Sequence, residues 1–176
     1  KILADAEQFK EKVKDISEEM PALGMEIPQC ELSITAAVMP GGKTTGVLWA
    51  TYEFMGGTHG SLSLESKIYH LQHAKDGKQT LRVLGLSDLF HNAKAAVNIF
   101  SEYSRSELLK RGLDPAMVEP GTAPAAENFN VFLLSNDGLI VFFEPYQVAP
   151  WADGTIRLNI PLDRLKNAGP VMTFWK

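Results

Sequence analysis

Residues 139–143 read LIVFF, five apolar side chains in succession. Side chains alternate between the two faces of a strand, so a run with no polar member puts apolar groups on both faces, and both must be covered. LIVFF therefore predicts a strand at or near the centre of a sheet, with a covering layer on each side. Residues 129–134 supply its partner, and Ser135, Asn136, Asp137 and Gly138 supply the turn of a hairpin.

C-terminal to this hairpin, Thr155–Ile160 predicts another strand with Ile156, Leu158 and Ile160 inward. A helical turn around Pro161–Lys166 and a terminal strand Val171–Trp175 follow. On the N-terminal side, Leu89, Ala93, Ala96, Phe100 and Tyr103 line one face of a helix spanning Asp88–Arg111, extended by Val97, Ile99 and Leu108. Ser87 is its expected N-cap, and Lys110, Arg111 and Gly112 mark its end. Residues 113–127, with Pro115, Pro120, Pro124 and Gly121, read as an ordered crossover loop.

Further toward the N-terminus, Ile2, Ala6, Phe9, Val13, Ile16 and Met20 form the stripe of an amphipathic helix, ended by Pro21 and Gly24. Strands are expected at Glu31–Val38, Gly46–Phe54, Ser61–Leu71 and Thr80–Leu84, with a bulge near Ser66–Tyr69 and a turn at Asp76, Gly77 and Lys78. The fold class is α+β: antiparallel sheets packed against one long helix (about 88–111) and an N-terminal amphipathic helix. With 45% hydrophobic and 22% charged residues, 1–176 is expected to form a single compact domain.

A net charge of −4 without a Lys or Arg run argues against nucleic acid as a partner. No apolar run approaches the roughly 18 residues of a membrane span. Membrane contact would come only through a segment absent from this chain, and whether a leader or anchor precedes Lys1 stays open. The lone Cys30 forms no disulfide within the chain, and its bland reading is a small, partly buried side chain. His70 and His73 are three apart on a strand and point to opposite faces, His91 reads as a solvated helix residue, and HExxH is missing, so neither a metal nor a cofactor is expected. No GxSxG elbow is present, and Gly41, Gly42, Lys43 and Thr44 resemble a P-loop tail with Ala37 where the first glycine belongs. Glu53, Glu65 and Glu144 cannot be paired across a groove from sequence alone. No residue is singled out as catalytic.

Two loops remain. Tyr52–Gly60, YEFMGGTHG, is either a glycine turn whose His59 bonds backbone or part of a recognition surface. Glu144–Gly154, EPYQVAPWADG, is either a rigid connector or a stiff loop presenting Tyr146 and Trp151.

These loops lie at the two ends of an ordered series of motifs. The series runs through Tyr52, Gly56, Gly57, Thr58, His59 and Gly60, then Gly77 and Lys78, then Leu86, Ser87, Asp88, Leu89 and Phe90. It closes with Asp137, Gly138, Pro145, Tyr146, Val148, Ala149, Pro150, Trp151, Ala152 and Gly154. The succession, over residues 46–166, resembles an envelope family of unknown function that includes the extracellular region of the anti-sigma factor RsiV and the non-catalytic N-terminal region of the peptidoglycan deacetylase PdaC. Residues 1–78 resemble the PdaC-type half and 79–176 the RsiV-type half. Departures are Thr58 for alanine, Gln147 for glutamate, Trp151 for tyrosine and Asp153 for alanine. The resemblance implies a periplasmic or cell-surface binding or sensory domain whose partner is a lysozyme-like protein or a peptidoglycan fragment. It implies contact through Tyr146, Gln147, Trp151, Asp153 and His59, on a framework of Gly56, Gly57, Gly60, Pro145, Pro150 and Gly154. A peptidoglycan-acting enzyme and an accessory module of a cell-wall deacetylase are the alternatives.

Overall fold

The computed structural model describes residues 1–73 and 77–175. In chain order the elements are helix α1 (Ile2–Ala22), strands β1 (Glu31–Gly41), β2 (Thr44–Phe54), β3 (Ser61–His73) and β4 (Gln79–Leu84), and helices α2 (Leu86–Leu89), α3 (Ala93–Lys110) and α4 (Pro115–Gly121). Strands β5 (Phe132–Ser135), β6 (Gly138–Phe143) and β7 (Ile156–Pro161) follow, with 3-10 turns at Ala126–Phe129, Trp151–Asp153, Lys166–Ala168 and Met172–Phe174. The strands make a four-stranded sheet ordered β1-β2-β3-β4 and a three-stranded sheet ordered β5-β6-β7, an α+β fold as the sequence predicts. Residues gather into two units: Lys1–Ala36 with Trp49–Leu64, and Ala37–Leu48 with Glu65 onward.

In the larger unit, LIVFF is the centre of the fold. All six residues of β6 are buried, between β5 and β7, in antiparallel registers that set Phe132 and Leu158 against Val141. Helix α3 covers one face. Its Phe100, fully buried, packs edge-on against Phe90 and Phe129 at centroid distances of 5.9 and 5.8 Å, and Phe129 continues the chain of rings to Phe143 at 6.1 Å. Cover at Leu133 comes from the β1–β2 hairpin: a Cβ on Gly46 would stand 2.6 Å from Leu133 Cδ2. The GGKT tip of that hairpin is a packing device. Gly42, at φ +59, has the Phe174 carbonyl 2.3 Å from where its Cβ would be, and the Lys43 amide donates to that carbonyl at 3.1 Å. Ser66 Oγ ties β3 to β5, donating to the Phe132 carbonyl at 2.9 Å and accepting from the Phe132 amide at 3.0 Å.

The structure corrects several boundaries. The helix expected over 88–111 is two helices, because Phe90 leaves the helical path at φ −133 to bridge Pro170. The amides of His91 and Asn92 then donate to the carbonyls of Gly169 and Ala168. Exposed His91 lies in this break and not on a helix. Asn92 caps α3 by accepting from the Ala95 amide at 3.0 Å. The N-cap of α2 is Gly85 and not Ser87. Its amide donates to Asp88 at 2.9 Å, and Asp88 also accepts from Arg82. The crossover 113–127 holds α4, with Pro115 in its first turn and Asp114 accepting from the Ala116 amide at 2.9 Å. Phe129 belongs to a 3-10 turn, and so does the segment read as a terminal strand, whose Trp175 Nε1 donates to the Gly138 carbonyl at 2.9 Å. From Ile68↔Leu84 to His73↔Gln79 the β3–β4 register is one-for-one. The phase change at Leu71 reflects an uncovered face, since Leu71, Leu81 and Val83 are all exposed. Of the turn expected at 76–78, Asp76 lies outside the described residues.

In the smaller unit, Pro21 sits inside the last turn of α1. The helix ends one residue later, at Ala22, in a cap where the Gly24 and Met25 amides donate to the Pro21 and Met20 carbonyls. Its stripe is half-buried, and Ile2, at its start, is exposed. Lys12 Nζ meets Glu53 Oε2 at 2.6 Å and Thr51 Oγ1 donates to Asp5 at 3.4 Å, tying the polar flank of α1 to β2.

Candidate functional site

The Glu144–Gly154 loop belongs to the larger unit and is held from beneath. Val148 and Ala149 are buried, and the Tyr146 amide donates to the Ala149 carbonyl at 2.9 Å, closing a tight turn. The Gln147 side chain turns inward. Its Nε2 donates to the carbonyls of Gly121 at 3.1 Å and Asn128 at 2.9 Å, while its Oε1 accepts from the Glu144 amide at 3.3 Å. One amide thus fastens the loop to the end of α4, to the Ala126–Phe129 turn and to its own start.

What this foundation presents outward is aromatic. Tyr146 is 56% exposed, half-buried Trp151 stands beside it with ring centroids 6.2 Å apart, and the planes are inclined at 36°. Tyr146 has φ +70, alone among non-glycine residues described, in the left-handed region that a Cβ disfavours. Pro150, Ala152 and Asp153 are exposed along the same loop, and Gly154 closes it at φ +65, ψ −149, a glycine conformation. The structure therefore brings Tyr146 and Trp151 together and gives Gln147 bonds into the scaffold. Asn128 and Gly121, which anchor the loop, carried no sequence signal beyond a Pro-Gly step.

The Tyr52–Gly60 turn belongs to the smaller unit. His59 is exposed, and its Nδ1–H donates to the Gly60 carbonyl at 2.8 Å, the backbone bond anticipated for it. Gly56 and Gly57 have φ +91 and +97, and Pro28 lies 2.7 Å from where a Cβ on Gly56 would be. A cavity of about 280 Å³ is lined by Glu53, Met55, Gly56, His59, Gly60 and Ser61, with the Glu53 carboxylate on Lys12. Half-buried Cys30 donates to the Pro28 carbonyl at 3.6 Å. Among the described residues, no three His, Cys, Asp or Glu side chains gather as a metal would need, and no helix is long and apolar enough to cross a membrane.

Residues 87–163 match the model of a family described as protein of unknown function DUF3298. The matched stretch includes the Glu144–Gly154 loop, whereas the Tyr52–Gly60 turn lies outside it. The chain is similar to the peptidoglycan-N-acetylmuramic acid deacetylase PdaC of Bacillus subtilis (strain 168), 26% identical over 167 residues. That alignment covers 93% of this chain and 33% of the deacetylase, so the chain spans a third of that relative's length. A solved DUF3298-family structure from Bacteroides fragilis NCTC 9343 superposes with a TM-score of 0.65 at 16% identity, covering 96% of this chain and 68% of that one. One from Pseudomonas aeruginosa PAO1 gives 0.61 at 22%, covering 87% and 70%. The two structures share the fold, and the PdaC likeness read from the ordered motifs agrees with the similarity to that deacetylase.

Proposed function

We propose that this chain is a non-catalytic, extracytoplasmic binding domain of the bacterial cell envelope, with the Tyr146–Trp151 face as its contact surface and a peptidoglycan fragment as its ligand. The observation that carries the reading is the Tyr146 backbone. A side chain at φ +70 costs about 1–2 kcal/mol relative to the right-handed region, and such conformations persist where the surroundings enforce them, often at ligand clamps. Here Gln147, Val148 and Ala149 enforce it, and the result is a ring held out toward solvent beside a second ring. Two stiff aromatics at an angle offer large contact area at small entropic cost, suited to the apolar face of a sugar ring.

The similarity to PdaC, a peptidoglycan-N-acetylmuramic acid deacetylase, supports a wall glycan as the ligand. The formal charge of −4 favours a basic protein of the lysozyme type as a second reading. Calorimetric titration of the chain with muropeptides and with lysozyme tests both. The expected result is saturable heat with muropeptides that falls about tenfold in affinity in Tyr146→Ala and in Trp151→Ala, the loss of one central aromatic contact. Heat with lysozyme alone selects the second reading. Absence of heat with either, or hydrolytic turnover of the muropeptides, overturns the proposal.

A further inference from the structure

We propose that Lys43, His70, Gln72, Thr80 and Thr173 form a second binding site, for a small carboxylate. They line a cavity of about 710 Å³ together with Leu71 and His73, within the range of about 300–1,000 Å³ common for ligand pockets. The site is built from three directions. The β1–β2 tip brings Lys43, whose amide donates to Phe174 and whose carbonyl lies 3.0 Å from His70 Nδ1. A carbonyl only accepts, so Nδ1 carries the proton and Nε2 is left as the second polar atom of the ring. Phe174, 5.2 Å away at 80°, holds the ring edge-on. From the sheet, the registers His70↔Arg82 and Gln72↔Thr80 put those four residues on one face. Arg82 on that face is taken by Asp88. Thr173 comes from the Met172–Phe174 turn, and His73, bonded to Gln79, stands at the rim.

The electrostatics set the ligand class. The chain carries 21 acidic against 17 basic residues, yet among the described residues this cavity is lined by a lysine and two histidines and by no carboxylate. Among the described residues Lys43 enters no ion pair, while its backbone is fixed at both N–H and C=O. A cationic group on a fixed backbone, in a concave wall that adds an amide, two hydroxyls, two imidazoles and Leu71, fits one carboxylate flanked by hydroxyl or amide groups. A sugar acid and a peptide C-terminus share that chemistry. None of these residues lies in the 144–154 loop, so this site goes beyond the proposed function and stands or falls separately.

The test is a titration of the labelled full chain followed through the His70 and His73 ring resonances. The probes are N-acetylmuramic acid, diacetyl-L-Lys-D-Ala-D-Ala, and N-acetylglucosamine as the uncharged control. Saturable shifts with a carboxylate probe and none with the control support the site, and the probe that acts identifies a sugar acid or a peptide terminus as the source. Lys43→Gln, at an exposed position, is expected to weaken that binding about tenfold with the rest of the spectrum unchanged. No shift with either carboxylate, an equal shift with the control, or unaltered affinity in Lys43→Gln overturns it.

Discussion

The backbone carbonyl of Gln147 lies 1.9 Å from the point where a Cβ on Gly121 would stand, and the Gln147 side-chain amide donates to the Gly121 carbonyl at 3.1 Å. The last residue of α4 and the aromatic loop are thus seated on each other with no room for a side chain between them. The loop's geometry depends on a helix that begins some thirty residues earlier, in a stretch that reads as irregular.

Gly121→Ala forces these two backbones apart. Overpacking of a tight contact costs about 1–3 kcal/mol, and here the neighbouring atom is a main-chain oxygen that cannot rotate away. A lowered midpoint in chemical denaturation is expected, together with altered Trp151 fluorescence because the displaced segment carries that ring. An unchanged midpoint would show that the loop does not rest on α4.

Gln147→Glu replaces the anchoring amide with a carboxylate of the same length. A carboxylate still accepts from the Glu144 amide, but it donates nothing to the Gly121 and Asn128 carbonyls, which currently receive the amide at 3.1 and 2.9 Å. Two acceptors would then face a negative charge, a loss of about 1–3 kcal/mol at neutral pH. The deficit should shrink as the pH falls and the new carboxyl protonates, because one donor returns. Denaturation of both proteins across a pH series measures it, and equal stability at every pH would contradict the assigned bonds.

How much of this was legible beforehand follows the range of the interactions. LIVFF announced a central strand because burial on both faces leaves a local mark, and Asn136-Asp137-Gly138 announced its turn. The break at Phe90–Asn92 did not show, since the apolar spacing of Leu89, Ala93 and Ala96 continues through it. What decides it is a bridge to Pro170, eighty residues away. Val171–Trp175 has the composition of a strand, but Met172–Phe174 turns as a 3-10 helix and Trp175 bonds the Gly138 carbonyl. In the aromatic loop the rings were visible as residue types, whereas the left-handed Tyr146 was not, because tyrosine carries none of the signals by which glycine or asparagine marks that conformation.

Phe100→Ala removes the ring on which Phe90, Phe129 and Phe132 converge, with centroids 5.9, 5.8 and 6.4 Å away. Truncation of a fully buried phenylalanine costs about 3–5 kcal/mol. The effect should be global, since α3 is one of the two layers over β6. Hydrogen exchange is expected to lose protection in β6 and β7 as well as in α3, and protection lost in α3 alone would mean that helix and sheet are not one cooperative unit.

Tyr146 allows the stability and binding arguments to be separated. Its φ of +70 disfavours any residue with a Cβ by about 1 kcal/mol or more relative to glycine. Tyr146→Ala keeps that cost and loses the contact with Trp151, whereas Tyr146→Gly loses the same contact but relieves the backbone. Glycine's greater freedom in the unfolded chain returns part of the gain. The glycine variant should therefore be at least as stable as the alanine variant, reversing the usual order, while both lose muropeptide binding alike. An alanine variant clearly more stable than the glycine one would show that the left-handed turn is not enforced, and would remove the reason for reading Tyr146 as a clamp.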